Sequence, residues 1–160
     1  MGSRSKIINY YAYIAGFLDG DGSLMVQLKK RKDTKKKWRF MFTICFYQDS
    51  RHEEGLLWIK RIIGGYLSRR SDGITELRIN GYKRVYNLLK QLKPFIRFKK
   101  VQVEAMMKVL RILLKTSEEE LSIRDRKRIL ENLLKIQSAN YSTKRKKTRE
   151  ELNKILELTP

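Results

Sequence analysis

The residues of this chain best placed to do chemistry sit in one string, Tyr13-Ile14-Ala15-Gly16-Phe17-Leu18-Asp19-Gly20-Asp21-Gly22-Ser23. Upstream of its acids, Ile7, Tyr10/Tyr11, Ile14 and Phe17/Leu18 recur at helical spacing, which predicts a helix over Lys6 to Leu18. That helix should stop at Gly20-Asp21-Gly22. A helix C-terminus exposes unpaired carbonyls and the negative end of the dipole. Two carboxylates, Asp19 and Asp21, join those carbonyls. Oxygen donors at a negative helix end suit a hard divalent cation such as Mg²⁺. A calcium loop of the EF-hand kind is excluded, because it needs Glu at its twelfth position. Counting from Asp19 that position is Lys30, and from Asp21 it is Lys32.

Charge identifies the partner. The 160 residues hold 37 Lys+Arg against 17 Asp+Glu, a net charge of +20. Such an excess makes a polyanion the default partner, and nucleic acid the commonest one. Mg²⁺ on a protein with that partner suggests phosphodiester cleavage, by activating water and stabilising the leaving oxygen. With 41% hydrophobic and 10% aromatic residues the chain can also build a core. One domain over 1–160 is expected, with residues 1–5 read as disordered or as an added leader. A single Cys and a single His exclude an internal disulfide, a cysteine-rich zinc site and any multi-histidine centre. No apolar run approaches the roughly 20 residues of a membrane span, so no membrane partner is expected. No secretory signal is visible, so the expectation is a protein that is not secreted.

The elements that must position these groups alternate in period. Leu24 to Lys30 reads as a strand, with Leu24, Val26 and Leu28 in and Met25, Gln27 and Lys29 out. After a charged turn over Arg31 to Lys36, Lys37 to Gln48 alternates again. Trp38, Phe40, Phe42, Ile44 and Phe46 face in; Arg39, Met41, Thr43, Cys45 and Tyr47 face out. A helix over Leu56 to Ile63 ends at Gly64-Gly65. A second hairpin follows, turning at Ser71-Asp72-Gly73, with Ser68, Arg70, Glu76 and Arg78 outward. Helices are predicted over Tyr82 to Leu92, Lys99 to Lys115, Ile123 to Ser138 and Thr148 to Leu156. Pro94 interrupts before the second of these, and Lys144 to Arg149 is a basic linker. This is an α+β fold with one antiparallel sheet and extra C-terminal helices. A ten-residue strand runs roughly 33 Å, close to one turn of B-DNA. A twisted basic ribbon of that length fits the major groove.

The string from Tyr13 to Ser23 resembles the signature of the LAGLIDADG homing endonucleases, in their single-motif, homodimeric, group I intron-encoded branch. The likeness runs from about Tyr10 into the helix starting near Lys99. It implies an αββαββα core with a curved four-stranded DNA-binding sheet. It implies a homodimer on double-stranded DNA, in which the signature helices of two subunits meet. Ala12, Ala15 and Gly16 would allow that approach, though small residues suit packing against the chain's own sheet equally well. By motif position Asp21 and the Gly20 carbonyl are the metal ligands, and Asp19 supports structure. The ion implied is Mg²⁺, with Mn²⁺ or Ca²⁺ able to occupy the site and Ca²⁺ not supporting cleavage. Gln48 corresponds to a residue that positions the attacking water, and Lys99 to the basic residue beside the scissile phosphate. A second basic residue is Arg51 or His52, and the alignment leaves both open. Base readers on the sheet are Gln27, Lys29, Arg31, Lys37, Arg39, Thr43, Tyr47, Ser68, Arg70, Glu76 and Arg78. Lys30, Lys32, Lys35, Lys36, Lys100 and the Lys144–Arg149 run face phosphate or solvent. The implied reaction is a staggered double-strand break in a long pseudo-palindromic site.

Two other readings compete. One is an intron RNA maturase of the same fold, with RNA as its partner. The other is a non-catalytic DNA-binding regulator or ribosome-associated protein. An acidic pair among glycines argues against the second, since it repels phosphate unless a metal intervenes. The resemblance places such a protein in a chloroplast or mitochondrion by internal synthesis, or in a microbial cytoplasm.

Overall fold

The computed structural model describes residues 2–30, 38–141 and 145–158. Arg31 and Lys37, two of the expected base readers, lie outside these residues. So do Lys32, Lys35, Lys36 and Lys144, and the side chain of Lys30.

The elements are α1 (Gly2–Asp21), β1 (Gly22–Lys30), β2 (Trp38–Asp49), α2 (Glu54–Ile63), β3 (Tyr66–Arg69), β4 (Ile74–Asn80), α3 (Tyr82–Leu92), α4 (Lys100–Lys115), α5 (Ile123–Ala139) and α6 (Arg149–Ile155). Short 3₁₀ turns occupy Ser50–His52 and Lys93–Phe95. This is the expected α+β order, with one four-stranded sheet in the order β1-β2-β4-β3. β4 pairs antiparallel with both β2 and β3. The largest departure is in α1, which runs on through Asp21 instead of stopping at Leu18. Its acids are therefore helical.

By its contacts the chain divides into two compact units. The first comprises residues 1–27 and 41–100. Its core is the stripe the alternation predicts: Phe42, Ile44 and Phe46 of β2 are fully buried, with Leu77 and Ile79 of β4. Burying a side chain of this size contributes about 2 kcal/mol. α3 lays Val85, Leu88, Leu89 and Leu92 on the same core at i, i+3, i+4 and i+7. Ring contacts tie the layers together: Phe17 of α1 stacks on Phe46 at 5.9 Å, and Phe42 meets Tyr82 edge-on at 5.3 Å. α1 passes into β1 with no loop between them. Gly22 allows this, since a Cβ there would lie 2.6 Å from Leu18 Cδ1 and 2.8 Å from Leu18 Cα.

The second unit comprises residues 28–40 and 101–160. Val103, Met106 and Leu110 of α4, Ile129, Leu133 and Ile136 of α5, and Leu152 of α6 are buried in it. Ser122 caps α5 by accepting from Asp125 N at 3.1 Å. Thr148 and Glu151 form a capping box on α6. Among the described residues, no helix is long and apolar enough to cross a membrane.

Candidate active site

Side chains on a helix turn by 100° per residue, so two positions apart they diverge by about 200°. The continuation of α1 thus separates its two acids. Asp19 points inward and is 7% exposed. Its carboxylate accepts from three successive backbone N–H groups, Arg97 at 2.5 Å, Phe98 at 3.2 Å and Lys99 at 3.0 Å. The 3₁₀ turn carrying Pro94, followed by buried Ile96, aims those amides at α1. Lys99 then reaches back, its Nζ donating 2.6 Å to the Asp19 carbonyl. That carbonyl is one of the four a helix end leaves unpaired.

Asp21 points the other way. It is exposed and makes no hydrogen bond or ion pair among the described residues. Lys99 is half-buried, and burial holds its pKa below the usual lysine value; the Asp19 and Asp21 charges partly offset this. The structure therefore brings Asp21, the Gly20 carbonyl and the Lys99 ammonium to one helix end. Asp19 serves there as the anchor.

Gln48, Arg51 and His52 form a second group at the end of β2. Gln48 is half-buried, and its Oε1 accepts from the Asp49 N–H at 2.9 Å. Asp49 grips Arg51, accepting from its backbone N at 2.9 Å, Nε at 3.0 Å and Nη2 at 2.8 Å. These bonds hold the Asp49 carboxyl well below the usual carboxylate range. His52 is exposed, with no hydrogen bond or ion pair among the described residues. Of the two basic candidates, Arg51 has its fork engaged and His52 does not. The turn bearing both is pinned from below by a relay unseen in the sequence. Ser50 Oγ bonds Thr75 Oγ1 at 2.9 Å, and Thr75 donates to Glu53 at 2.7 Å. Glu53 in turn holds Arg69 Nε at 2.9 Å. Arg69, then Thr75, keep Glu53 below its ordinary pKa. Asp49 is the N-cap of the Ser50–His52 turn, a position that favours Asp, whereas nothing in the local sequence marks Glu53.

The outward face of the sheet differs from expectation in depth. Gln27, Lys29, Arg39, Arg70 and Arg78 are exposed, and Tyr47 and Ser68 half-buried. Two expected base readers, Thr43 and Glu76, are buried at 3% exposure each. Thr43 donates 2.6 Å to Asn80 Oδ1 across the β2–β4 pair. Glu76 lies beneath two arginine side chains. Strand alternation assigns a face, but long neighbours on the same face can cover a shorter side chain.

Of the residues expected at a subunit contact, Ala15 is fully buried in its own unit, Ala12 is half-buried and Gly16 is exposed. Gly16 shares an exposed face of α1 with Tyr13 and Gly20, spaced i, i+3 and i+7. A Cβ at either glycine would meet nothing within 4 Å.

Comparison with known proteins places this geometry. DNA endonuclease I-CvuI of Chlorella vulgaris is 28% identical over 109 residues, 68% of each chain. DNA endonuclease I-CreI of Chlamydomonas reinhardtii is 30% identical over 102 residues, 63% of this chain and 62% of that one. A crystal structure of I-CvuI on a DNA target in the presence of Mg superposes with a TM-score of 0.78, covering 96% of both chains at 23% identity. Another holds I-CvuI on its target in the presence of Ca. An archaeal intron-encoded homing endonuclease, I-Vdi141I, complexed with DNA, gives 0.76 over 92% of this chain and 94% of that one, at 21% identity. The structural likeness is one of fold. The sequence model for the LAGLIDADG endonucleases matches residues 14–110, from the helix that delivers Asp21 to well past Lys99. The chain belongs to the LAGLIDADG endonuclease family.

Proposed function

We propose that two copies of this chain bind a long, pseudo-palindromic duplex and hydrolyse one phosphodiester on each strand, leaving a staggered break. The observation that carries this is the unengaged Asp21 carboxylate, held beside the Lys99 ammonium at the negative end of α1.

The donor set fits a divalent cation of the Mg²⁺ type. Asp21 and the Gly20 carbonyl are hard oxygen ligands at an exposed helix end. Among the described residues no three acids, histidines or cysteines close into a cage. Mg²⁺ is commonly held by one or two carboxylates together with substrate phosphate and water. When bound, such a cation makes water a stronger nucleophile and offsets charge on the leaving oxygen. Asp19 keeps the helix end and the Lys99 turn in register. Lys99 presents a positive charge to a phosphate lying over Asp21, and the Nε2 of Gln48 remains to orient water. His52, whose ring is not engaged, is the better candidate for the second basic group.

Randomised duplexes incubated with the protein and Mg²⁺ test the reading. Recovery of one sequence family cut on both strands with a constant stagger is the expected result. Binding without any metal-dependent cutting would sink it. On the selected duplex, Lys99→Met should slow cleavage by about 10²-fold while binding changes far less. Equal losses would reduce Lys99 to a phosphate anchor.

Support for pairing comes from the Gly16–Gly20 face, which lets a second helix approach as closely as backbone allows. Gly20→Leu would alter a ligand carbonyl's residue, so Gly16→Leu is the cleaner variant. It is expected to shift the sedimentation profile from dimer to monomer and to convert any remaining cleavage to nicks. An unchanged profile would place the interface elsewhere.

A further inference from the structure

The outward face of the sheet has two storeys. The lower storey is polar and buried: Cys45 and Glu76, with half-buried Tyr47 beside them. The upper storey carries two guanidiniums, those of Arg70 and Arg78, with side chains 48% and 44% exposed. Glu76 joins the storeys. It sits in β4 opposite Tyr47 of β2 and Ser68 of β3. Its Oε1 pairs with Arg70 Nη1 at 3.0 Å, and its Oε2 pairs with Arg78 Nη2. Arg70 is gripped a second time, through Nη2, by Asp72 at 2.5 Å. Arg78 has no other ion pair among the described residues, and its side chain is the one of the two that a single acid holds. The Cys45 thiol donates to the Phe46 carbonyl at 3.9 Å, and burial pushes that thiol's pKa up.

We propose that Glu76 is a specificity-positioning residue: it does not touch DNA, but it fixes the Arg78 fork, with Arg70 as its counter-ion, so that Arg78 reads a guanine edge in the major groove. This rests on the endonuclease reading above. An arginine side chain loses about 2 kcal/mol of rotamer entropy when immobilised, and a fork already held in place loses less on binding. A bidentate arginine–guanine contact is the commonest specific one, and it depends on orientation. A carboxylate at 3% exposure has no role in solubility or salt screening; its ion-pair partners are the two arginines. It also lowers the local positive charge by one, which weakens indiscriminate attraction to phosphate relative to base readout.

That last point separates positioning from mere structure. In Glu76→Gln the face gains a net positive charge while its fork loses its aim. Affinity for a random-sequence duplex should stay level or rise. Discrimination at one or two base pairs in each half-site should fall roughly ten- to hundred-fold. The full-length protein and the duplex selected from the randomised library are used, with every single-base substitution of that duplex assayed for binding and cutting. Arg78→Lys, a change at an exposed position, should relax the same base pairs. Adding Glu76→Gln to it should relax them no further. This second variant carries the test should the buried substitution fail to fold. An unchanged base profile in Arg78→Lys would overturn the proposal, as would a loss in Glu76→Gln spread evenly over all duplexes. Wild-type cleavage in the same assay is the control. Its absence would count against the endonuclease reading and not against this one.

Discussion

Asp21→Asn is expected to lower cleavage by at least about 10³-fold, with the fold intact and specific binding retained. The substitution is isosteric, and Asp21 is exposed with no hydrogen bond or ion pair among the described residues, so no internal contact is lost. What disappears is one negative charge and a ligand oxygen of anionic strength. Without added cation, the wild-type carboxylate repels phosphate, and the variant should bind duplex as tightly or more tightly. A Ca²⁺ titration makes the contrast sharper. Wild-type binding should strengthen as the ion is added, and the response should be flat in the variant. Single-turnover cutting and a melting curve complete the measurement. A variant that cuts at the wild-type rate would remove Asp21 from the reaction.

Asp19→Ala is expected to act in the opposite place, on stability first and on activity through it. The buried carboxylate accepts from the amides of Arg97, Phe98 and Lys99. Its loss leaves three donors aimed at a space with no acceptor. Each such donor costs about 1 kcal/mol or more, since amides near the surface recover part of their hydration. The sum is about 3–5 kcal/mol, or a fall in Tm of about 10 °C for a chain of this size. Asp19→Asn keeps one acceptor oxygen without the charge and should fall between. Hydrogen exchange should show the amides of 97–99 losing protection first. Cleavage should fall as well, because Lys99 is held by the same helix end through the Asp19 carbonyl. If Asp19→Ala melts with the wild type and only cleavage suffers, Asp19 is a ligand and not an anchor.

The two acids also mark how far residue order can be read. Glycines around Asp21 signal a helix stop, and the local signal placed it at Gly20. The helix runs on through Asp21 because its end is held from outside, by Lys99 on the Asp19 carbonyl and by the amides of 97–99 on the Asp19 carboxylate. Partners about 80 positions away leave no trace in local periodicity. The alternation of β2 was legible for a simpler reason: Phe42, Ile44 and Phe46 face a core, and a strand has a period of two. The same rule put Thr43 and Glu76 on the correct face and at the wrong depth. Period assigns a side of the sheet, while depth depends on whether neighbours reach over.

By itself the amino-acid order determined the net charge that favours a polyanion partner, the αββαββα succession and the string that carries the acids. These follow from charge, period and breaker residues, all of which act over a few positions. Only the tertiary structure decided which acid is spent inside the protein and which stands exposed, which small residues of α1 face outward, and which arginines of the sheet a buried acid holds. Each of those depends on hydrogen bonds and cover supplied by elements remote in the chain.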